Sequence, residues 1–151
     1  AFIRPGLDPA RWGNRANYAA LNVVPTGPDE MSIYHAVSGY RYVLRTDGFV
    51  SVHAPYAGGE MLTKPLVFRG DKLVLNVSTA GSGSVAVELQ TAGGEAIPGY
   101  GLADCTPIVG DAIEYAVSWG KTSDVSKLSS TPLRIRFAMK DSDLYSLRFG
   151  E

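Results

Sequence analysis

Apolar and polar residues alternate along most of the chain from residue 72 onward. The alternating runs are KLVLNVST, SVAVELQT, IEYAVSW, LRIRFAMK and DLYSLRF. A period of two places each apolar set on one face of a β-strand and the polar set on the other. Between the runs stand AGSGS, AGGEAIPG, DCTPIVGD, KTSDVSKLSSTP and, before the last run, Asp-Ser-Asp. Such Gly, Pro, Asp and Ser clusters are typical of turns, so each is predicted to reverse the chain between two strands.

Short strands at near-regular spacing favour two packed antiparallel sheets. The predicted fold is therefore all-β, an antiparallel sandwich of jelly-roll type over residues 59–151. Only SDVSKLSS is expected to wind into a helical turn, with Ser123 or Asp124 as its N-cap.

Residues 1–58 have a different character. A loop-rich start with several prolines precedes the strand-like runs MSIYHAV, YRYVLRT and FVSVHA. Asp47-Gly48 separates the last two runs, and this dipeptide is a strong signal for a two-residue hairpin. Two or three strands make a poor independent domain, so residues 1–58 are interpreted as part of a larger sheet assembly. The segment APYAGGE, residues 54–60, is the predicted boundary.

Composition narrows the classes of function. Fourteen basic and 15 acidic residues give a net charge of −1, so no basic excess exists to neutralise a nucleic-acid backbone. No apolar run approaches the roughly 20 residues that a membrane-spanning helix needs. One cysteine excludes an internal disulfide, and His35 and His53 have no metal-site spacing. The start lacks an initiator Met and a signal-peptide pattern, which suggests a mature product or an excised piece.

The order of motifs resembles a known family. WGNRANYAALNVVPTGPDEMSIYH, then YVLRTDGFVSVHAPYAGGE, then GDKLVLNVST and the strands up to MKDSDLYSLRF are similar to the C-terminal part of bacterial proteins related to glycoside hydrolase families 32 and 43. In that family a five-bladed β-propeller carries the active site, and a C-terminal β-sandwich packs against it. The resemblance implies that residues 1–58 form the last propeller blade with its lead-in loop, and that residues 59–151 form the accessory sandwich.

The resemblance also sets the expected function. The family's catalytic carboxylates lie on earlier blades, so no catalytic residue is expected in this chain, and no cofactor. The expected role is a non-catalytic accessory domain that stabilises a propeller and contributes to carbohydrate binding in an extracellular or periplasmic protein. A free-standing carbohydrate-binding module and a structural, protein-binding sandwich are the alternatives. One departure from the family is the short connection between His35 and Tyr40, where a longer one is expected.

The segment WGNRANY supplies the candidate carbohydrate ligands Trp12, Asn14, Arg15 and Asn17. A flat aromatic side chain suits the apolar face of a sugar, and planar amide and guanidinium groups suit its vicinal hydroxyls. The alternative is that Trp12 packs within the protein while Arg15 and Asn17 satisfy loop carbonyls.

Cys105 follows Asp104 in the loop GYGLADCTPIVGD. A nucleophilic cysteine needs a lowered pKa, from a histidine, another cation or a helix N-terminus, and an adjacent aspartate acts in the opposite direction. The sequence therefore indicates a structural cysteine in a turn.

Three further groups are weaker candidates. Asp141 and Asp143 supply carboxylate oxygens for a structural Ca²⁺, although the spacing is not that of an EF-hand and hairpin composition explains it equally well. Glu88 and Glu114 lie opposite the apolar sets of their strands and are predicted to be solvated. The glycine-bearing turns have no phosphate-loop pattern.

Overall fold

The computed structural model describes residues 3–4, 6–7, 9, 13, 16–36 and 39–150. The chain divides into two compact units, Ala1–Thr46 and Asp47–Glu151. Both are built from antiparallel strands, so the predicted all-β antiparallel fold is confirmed.

The smaller unit contains a three-stranded antiparallel sheet. Its strands are β1 (Val24–Pro25), β2 (Glu30–Tyr34) and β3 (Arg41–Arg45), in the order β1-β2-β3. Ile33 is buried and pairs with Tyr42, whereas Val43, on the opposite face, is exposed. The sheet therefore has one partly buried face and one face open to solvent.

The connection from β2 to β3 is closed by backbone hydrogen bonds. The His35 amide donates to the Tyr40 carbonyl at 2.8 Å, and the Gly39 amide donates to the His35 carbonyl at 3.3 Å. A tight hairpin therefore connects His35 to Tyr40. Val37 and Ser38 within it lie outside the described residues.

The larger unit contains a five-stranded antiparallel sheet. Its strands are β4 (Val52–Ala54), β5 (Gly59–Leu62), β6 (Lys72–Thr91), β7 (Asp111–Ala116) and β8 (Leu133–Gly150). They follow the order β4-β8-β6-β7. Strand β5 also pairs with β8, along a different part of that strand from β4.

Two of the predicted turns are corrected by the structure. AGSGS does not separate two strands, because it lies inside the 20-residue strand β6, and Asp141-Ser142-Asp143 lies inside the 18-residue strand β8. The pairs Thr79–Ser142 and Ser84–Lys140 flank an irregularity at which residues 80–83 stand opposite Asp141. Such an insertion bends a sheet without ending its pairing, so both strands continue through a corner.

The halves of β6 on either side of this corner face one hydrophobic core. Fully buried side chains alternate along both halves, and those of β8 join the same cluster: Leu73, Leu75, Val77, Val85, Val87, Leu89, Leu133, Ile135 and Phe137. The Val117 amide bonds to the Leu73 carbonyl in the first half, while the indole of Trp119 donates to the Val87 carbonyl in the second. The predicted sandwich is therefore formed by one sheet folded over its own apolar face.

The domain boundary differs from the predicted one at residues 58/59. The two units meet between Thr46 and Asp47, and both β4 and β5 pair with β8. Asp47 does adopt a left-handed conformation, with a φ of 55°. The predicted Asp47-Gly48 hairpin is nevertheless wrong. Strand β3 pairs with β2 in the smaller unit, whereas β4 pairs with β8 in the larger unit.

The predicted helical turn is present as a 3-10 turn at Ser126–Leu128. Its formal N-cap is Val125, but the carboxylate of Asp124 accepts the Ser126 amide at 2.8 Å. Hydrogen bonds from the Ser126 hydroxyl and, to a smaller extent, from this amide lower the pKa of Asp124. Asp124 therefore supplies the capping interaction from one position earlier in the chain.

Gly83 is required at the corner for steric reasons. A Cβ atom there would lie 2.2 Å from the Asp141 carbonyl oxygen and 2.8 Å from the Lys140 carbonyl oxygen. Because backbone atoms form the obstruction, a rotamer change cannot relieve it. We expect Gly83→Ala to lower the free energy of unfolding by about 1–3 kcal/mol, measured by denaturant titration.

Gly81 provides the matched control two residues away. A Cβ on Gly81 would meet no atom within 4 Å. Gly81→Ala should therefore change the free energy of unfolding by less than about 0.5 kcal/mol. Equal effects of the two substitutions would contradict the steric role of Gly83.

Candidate functional site

Cys105 lies in the core between two chain segments. Its Sγ accepts the Val87 amide at 3.2 Å, and Cys105 pairs with Trp119 through an isolated β-bridge. The Trp119 indole N–H in turn donates to the Val87 carbonyl at 2.8 Å. Cys105 and Trp119 thus satisfy both backbone groups of one strand residue.

The environment of Cys105 opposes thiolate formation. Burial raises the pKa of the thiol, and Cys105 is only 6% exposed. The neighbouring carboxylate of Asp104 accepts the Gly101 amide at 3.2 Å and holds the loop. A buried thiol with a raised pKa is a weak nucleophile, so the structure agrees with a structural role for this residue.

Only one of the four proposed sugar ligands lies among the described residues. Trp12, Asn14 and Arg15 lie outside the described residues. Asn17 is described, and its side-chain amide donates to the Ile3 carbonyl at 2.8 Å. That contact is the loop-satisfying role given above as the alternative to sugar binding for this residue.

Asp143 is contacted by two side chains, Ser51 just before β4 and His53 within it. Its Oδ1 accepts the Ser51 hydroxyl at 2.7 Å and lies 3.2 Å from Nδ1 of His53. In a hydrolytic triad the histidine contacts the nucleophile, whereas here both groups contact the carboxylate. Over the described part of the chain no group of three or more His, Cys, Asp or Glu side chains is arranged to hold a metal ion, and Asp141 and Asp143 belong to no such group.

The outward-facing side of β5, β6 and β8 carries an array of paired charges. The Arg136 guanidinium contacts both oxygens of Glu60, at 2.7 and 3.1 Å, and lies 3.4 Å from Oε1 of Glu88. Glu88 also accepts the Gln90 side-chain amide at 2.8 Å and the Leu102 backbone amide at 3.3 Å. Arginine therefore joins two carboxylates that are 28 residues apart in sequence, Glu60 and Glu88.

The predicted solvation of Glu88 is wrong, whereas that of Glu114 is correct. Both residues point away from the core, but the Glu88 side chain is 10% exposed and that of Glu114 is 68% exposed. The loop containing Leu102 lies over Glu88, which explains the difference.

The pKa values of Glu60 and Glu88 are both lowered. For Glu88 the main cause is the hydrogen bond from Gln90, and for Glu60 it is the hydrogen bond from Arg136. Both acids are therefore ionised at neutral pH. A general acid needs a raised pKa, so neither carboxyl has the property that a glycosidase acid requires.

The smaller unit has an open hollow of about 500 Å³ beside its sheet. Its lining residues are Gly27, Pro28, Asp29, Glu30, Val43, Leu44 and Arg45. Next to it, the Arg41 guanidinium donates to Ser32 and Thr26 and forms an ion pair with Glu30. The hollow is a surface feature in which the adjoining charges are already paired.

A comparison with family models, with curated proteins and with solved structures gives no match to this chain. Among the described residues, no helix has the length and apolar character needed to cross a bilayer. The function of the chain is therefore inferred from the geometry of each unit.

The sequence alone did not predict this charged array, because its members are distant from one another in the chain. Glu88 and Arg136 are neighbours across β6 and β8 but lie 48 residues apart in the chain. The sequence signal for this array was the alternation in Glu88-Leu89-Gln90 and Arg134-Ile135-Arg136, which places polar side chains on one face of each strand. Only the register shows which of these charges meet.

Because Cys105 is buried, its thiol should react slowly in the folded protein. We expect Ellman's reagent to label native protein roughly a hundredfold or more slowly than protein in concentrated guanidinium chloride, since reaction requires local opening. Absorbance at the thionitrobenzoate band measures both rates. Labelling of the native thiol at the rate of a free cysteine would contradict this assignment.

The charge on Glu88 should contribute to stability in a pH-dependent manner. Since its pKa is lower in the folded state, the contribution is complete above the unfolded pKa and is lost as the pH falls through the folded pKa. We expect Glu88→Gln to lower the free energy of unfolding by about 1–3 kcal/mol at pH 7, because several donors lose an anionic acceptor. The difference from the wild type should shrink below the ordinary glutamate pKa, as measured by urea unfolding at several pH values.

Glu114→Gln is the control for this experiment. Glu114 is also paired with an arginine, Arg148, at 2.7 Å, but both side chains are exposed. An exposed pair contributes about 0–1 kcal/mol, so this variant should remain close to the wild type across the pH range. Identical pH profiles for the Glu88 and Glu114 variants would show that burial of Glu88 has no energetic consequence.

Proposed function

We propose that this chain is a non-catalytic accessory β-sandwich of a glycoside-hydrolase-like protein, in which it stabilises a propeller domain and contributes to carbohydrate binding. The observation that carries the proposal is the contrast between the two units. The larger unit has an apolar core of its own, whereas the smaller is a short three-stranded sheet whose outer face exposes a few apolar side chains among charged ones.

The absence of a catalytic role is supported by the state of the polar groups in the larger unit. Its interior is lined by aliphatic and aromatic side chains, and the core thiol is hydrogen-bonded. The carboxylates of Glu60 and Glu88 on its outward-facing side are bound to Arg136 and have lowered pKa values. This arrangement stabilises ionised carboxylates, whereas glycoside hydrolysis needs one protonated and one ionised group across a cleft.

A docking role is supported by the open face of the smaller sheet. Val24 and Val43 flank Ser32 in one row of paired residues and are 42% and 52% exposed, and Tyr34 on the same face is 37% exposed. Covering these side chains would remove apolar surface from water and so stabilise the small sheet. A neighbouring propeller blade would cover this face and extend the assembly.

The alternative of a free-standing carbohydrate-binding module finds support in one aromatic residue. Of the aromatic residues that would form a binding platform, Trp119 is 2% exposed and Tyr100 packs edge-on against it. Tyr56 is 65% exposed. The aromatic side chains therefore do not form one aligned platform, and an accessory domain with a local binding site is the better description.

The proposal predicts unequal local stability in the two units when the chain is isolated. In native-state hydrogen exchange we expect amides of β2 and β3 to exchange at least roughly tenfold faster than those of β6 and β8. The smaller sheet should open locally, because it buries few apolar side chains without its partner. Peptide-resolved mass spectrometry measures both sets of amides in the same sample.

Equal protection of the two sheets would contradict a partner-dependent smaller unit. Turnover of chromogenic glycosides by the isolated chain, abolished by a Glu→Gln substitution, would contradict the non-catalytic assignment. The two readouts test the docking and the chemical halves of the proposal separately.

A further inference from the structure

The outward-facing side of β5, β6 and β8 contains a recess where the side chains become small. In the register of these strands, Glu60, Ala138 and Ala86 form one row. The row on one side contains Arg136 and Glu88, and the row on the other contains Lys140 and Ser84. Long side chains therefore border two adjacent alanines on the same face.

This recess has a volume of about 320 Å³. It is lined by Ala57, Gly58, Gly59, Glu60, Ser84, Ala86, Ala138, Met139 and Lys140. Gly58 has a φ of 86°, and a Cβ atom there would lie 3.4 Å from the Met139 carbonyl oxygen. The turn from β4 to β5 thus forms a side of the recess with backbone in place of side chains.

Lys140 forms one border of the recess, and the Tyr56 ring flanks this border through its contact with Lys140 without lining the recess itself. The Lys140 Nζ lies 4.3 Å from the centroid of the Tyr56 ring, a cation–π contact that positions both groups. Tyr56 itself is 65% exposed. An exposed ring beside a fixed donor can pack against the C–H face of a sugar while the ammonium bonds to a hydroxyl.

A carboxylate borders the recess at the β5 end of the alanine row. The Glu60 side chain is 56% exposed although Arg136 contacts both of its oxygens. Each carboxylate oxygen has two lone pairs, so Glu60 retains acceptor capacity for sugar hydroxyls. The positive charges of Lys140 and Arg136 balance the negative charges of Glu60 and Glu88, so the surroundings favour a neutral, polyhydroxylated ligand over a charged one.

We propose that this recess, bordered by Lys140 and Glu60, floored by Ala86 and Ala138 and flanked by the Tyr56 ring beside Lys140, binds a neutral sugar residue of a glycan. The proposal deepens the carbohydrate-binding part of the function above and rests on it. The volume is at the small end for ligand pockets, which limits the site to one or two sugar rings. The alanines permit a flat ring to lie against the sheet, and the borders supply both a donor and an acceptor.

Affinity electrophoresis tests the proposal on the whole chain. The gels contain arabinoxylan, arabinan, inulin or galactomannan as neutral glycans, and polygalacturonate as the charged comparison. We expect retardation by at least one neutral glycan and a weaker effect of polygalacturonate. Tyr56→Ala should weaken binding roughly tenfold by removing the flanking aromatic ring, and Ala138→Gln should do the same by filling the floor.

Tyr40→Ala is the matched control, since Tyr40 is a 54% exposed tyrosine in the smaller unit. It should leave retardation unchanged, and circular dichroism should show that all three variants remain folded. Retardation that Tyr56→Ala and Ala138→Gln leave intact would overturn this site while leaving carbohydrate binding by the chain in place. No retardation by any glycan would overturn the site and the carbohydrate part of the function, and the hydrogen-exchange result would still judge the docking role.

Discussion

The larger unit depends on the pairing of β6 with β8 on both sides of a sharp corner. On both sides of the corner the apolar residues keep to the same face, so bending the paired strands brings those faces together around one core. The close approach of Gly83 to the carbonyls of Lys140 and Asp141 makes this bend possible, and Asp141 turns through a left-handed conformation with a φ of 44°. Because the layers are parts of one sheet, their separation and alignment follow from the geometry of two strands.

The corner also determines where polar chemistry can occur. Inside the fold, the indole of Trp119 and the thiol of Cys105 satisfy the backbone of Val87, which leaves these groups in structural roles. Buried polar groups cost free energy unless they are paired, so these contacts are what the core requires of its polar atoms. Outside, charged residues face away from the core, and arginine pairs them.

The smaller unit differs from the larger one because apolar side chains remain exposed on its sheet. Its strands are short, and its open face carries exposed apolar side chains next to a cluster of hydrogen bonds around Arg41. Under the proposed function, the two units have different roles. The larger unit supplies stability and a recess for a sugar on its outer face, and the smaller unit supplies the surface that meets a propeller.

The alternation of apolar residues along the chain was enough to determine the all-β fold and the core positions of β6 and β8, and the aspartate beside Cys105 indicated its structural character. These properties are local, because a period of two and the type of neighbouring residue decide them. Tertiary structure alone decided that AGSGS and Asp141–Asp143 continue strands, that Asp47 ends one unit without forming a hairpin, and that Glu88 is covered while Glu114 is not. Each of these depends on which distant segment lies opposite: β8 for the corner, β2 for the pairing of β3, and the loop at Leu102 for Glu88. A glycine or aspartate is compatible with both a turn and a bend, and the partner strand determines which one forms.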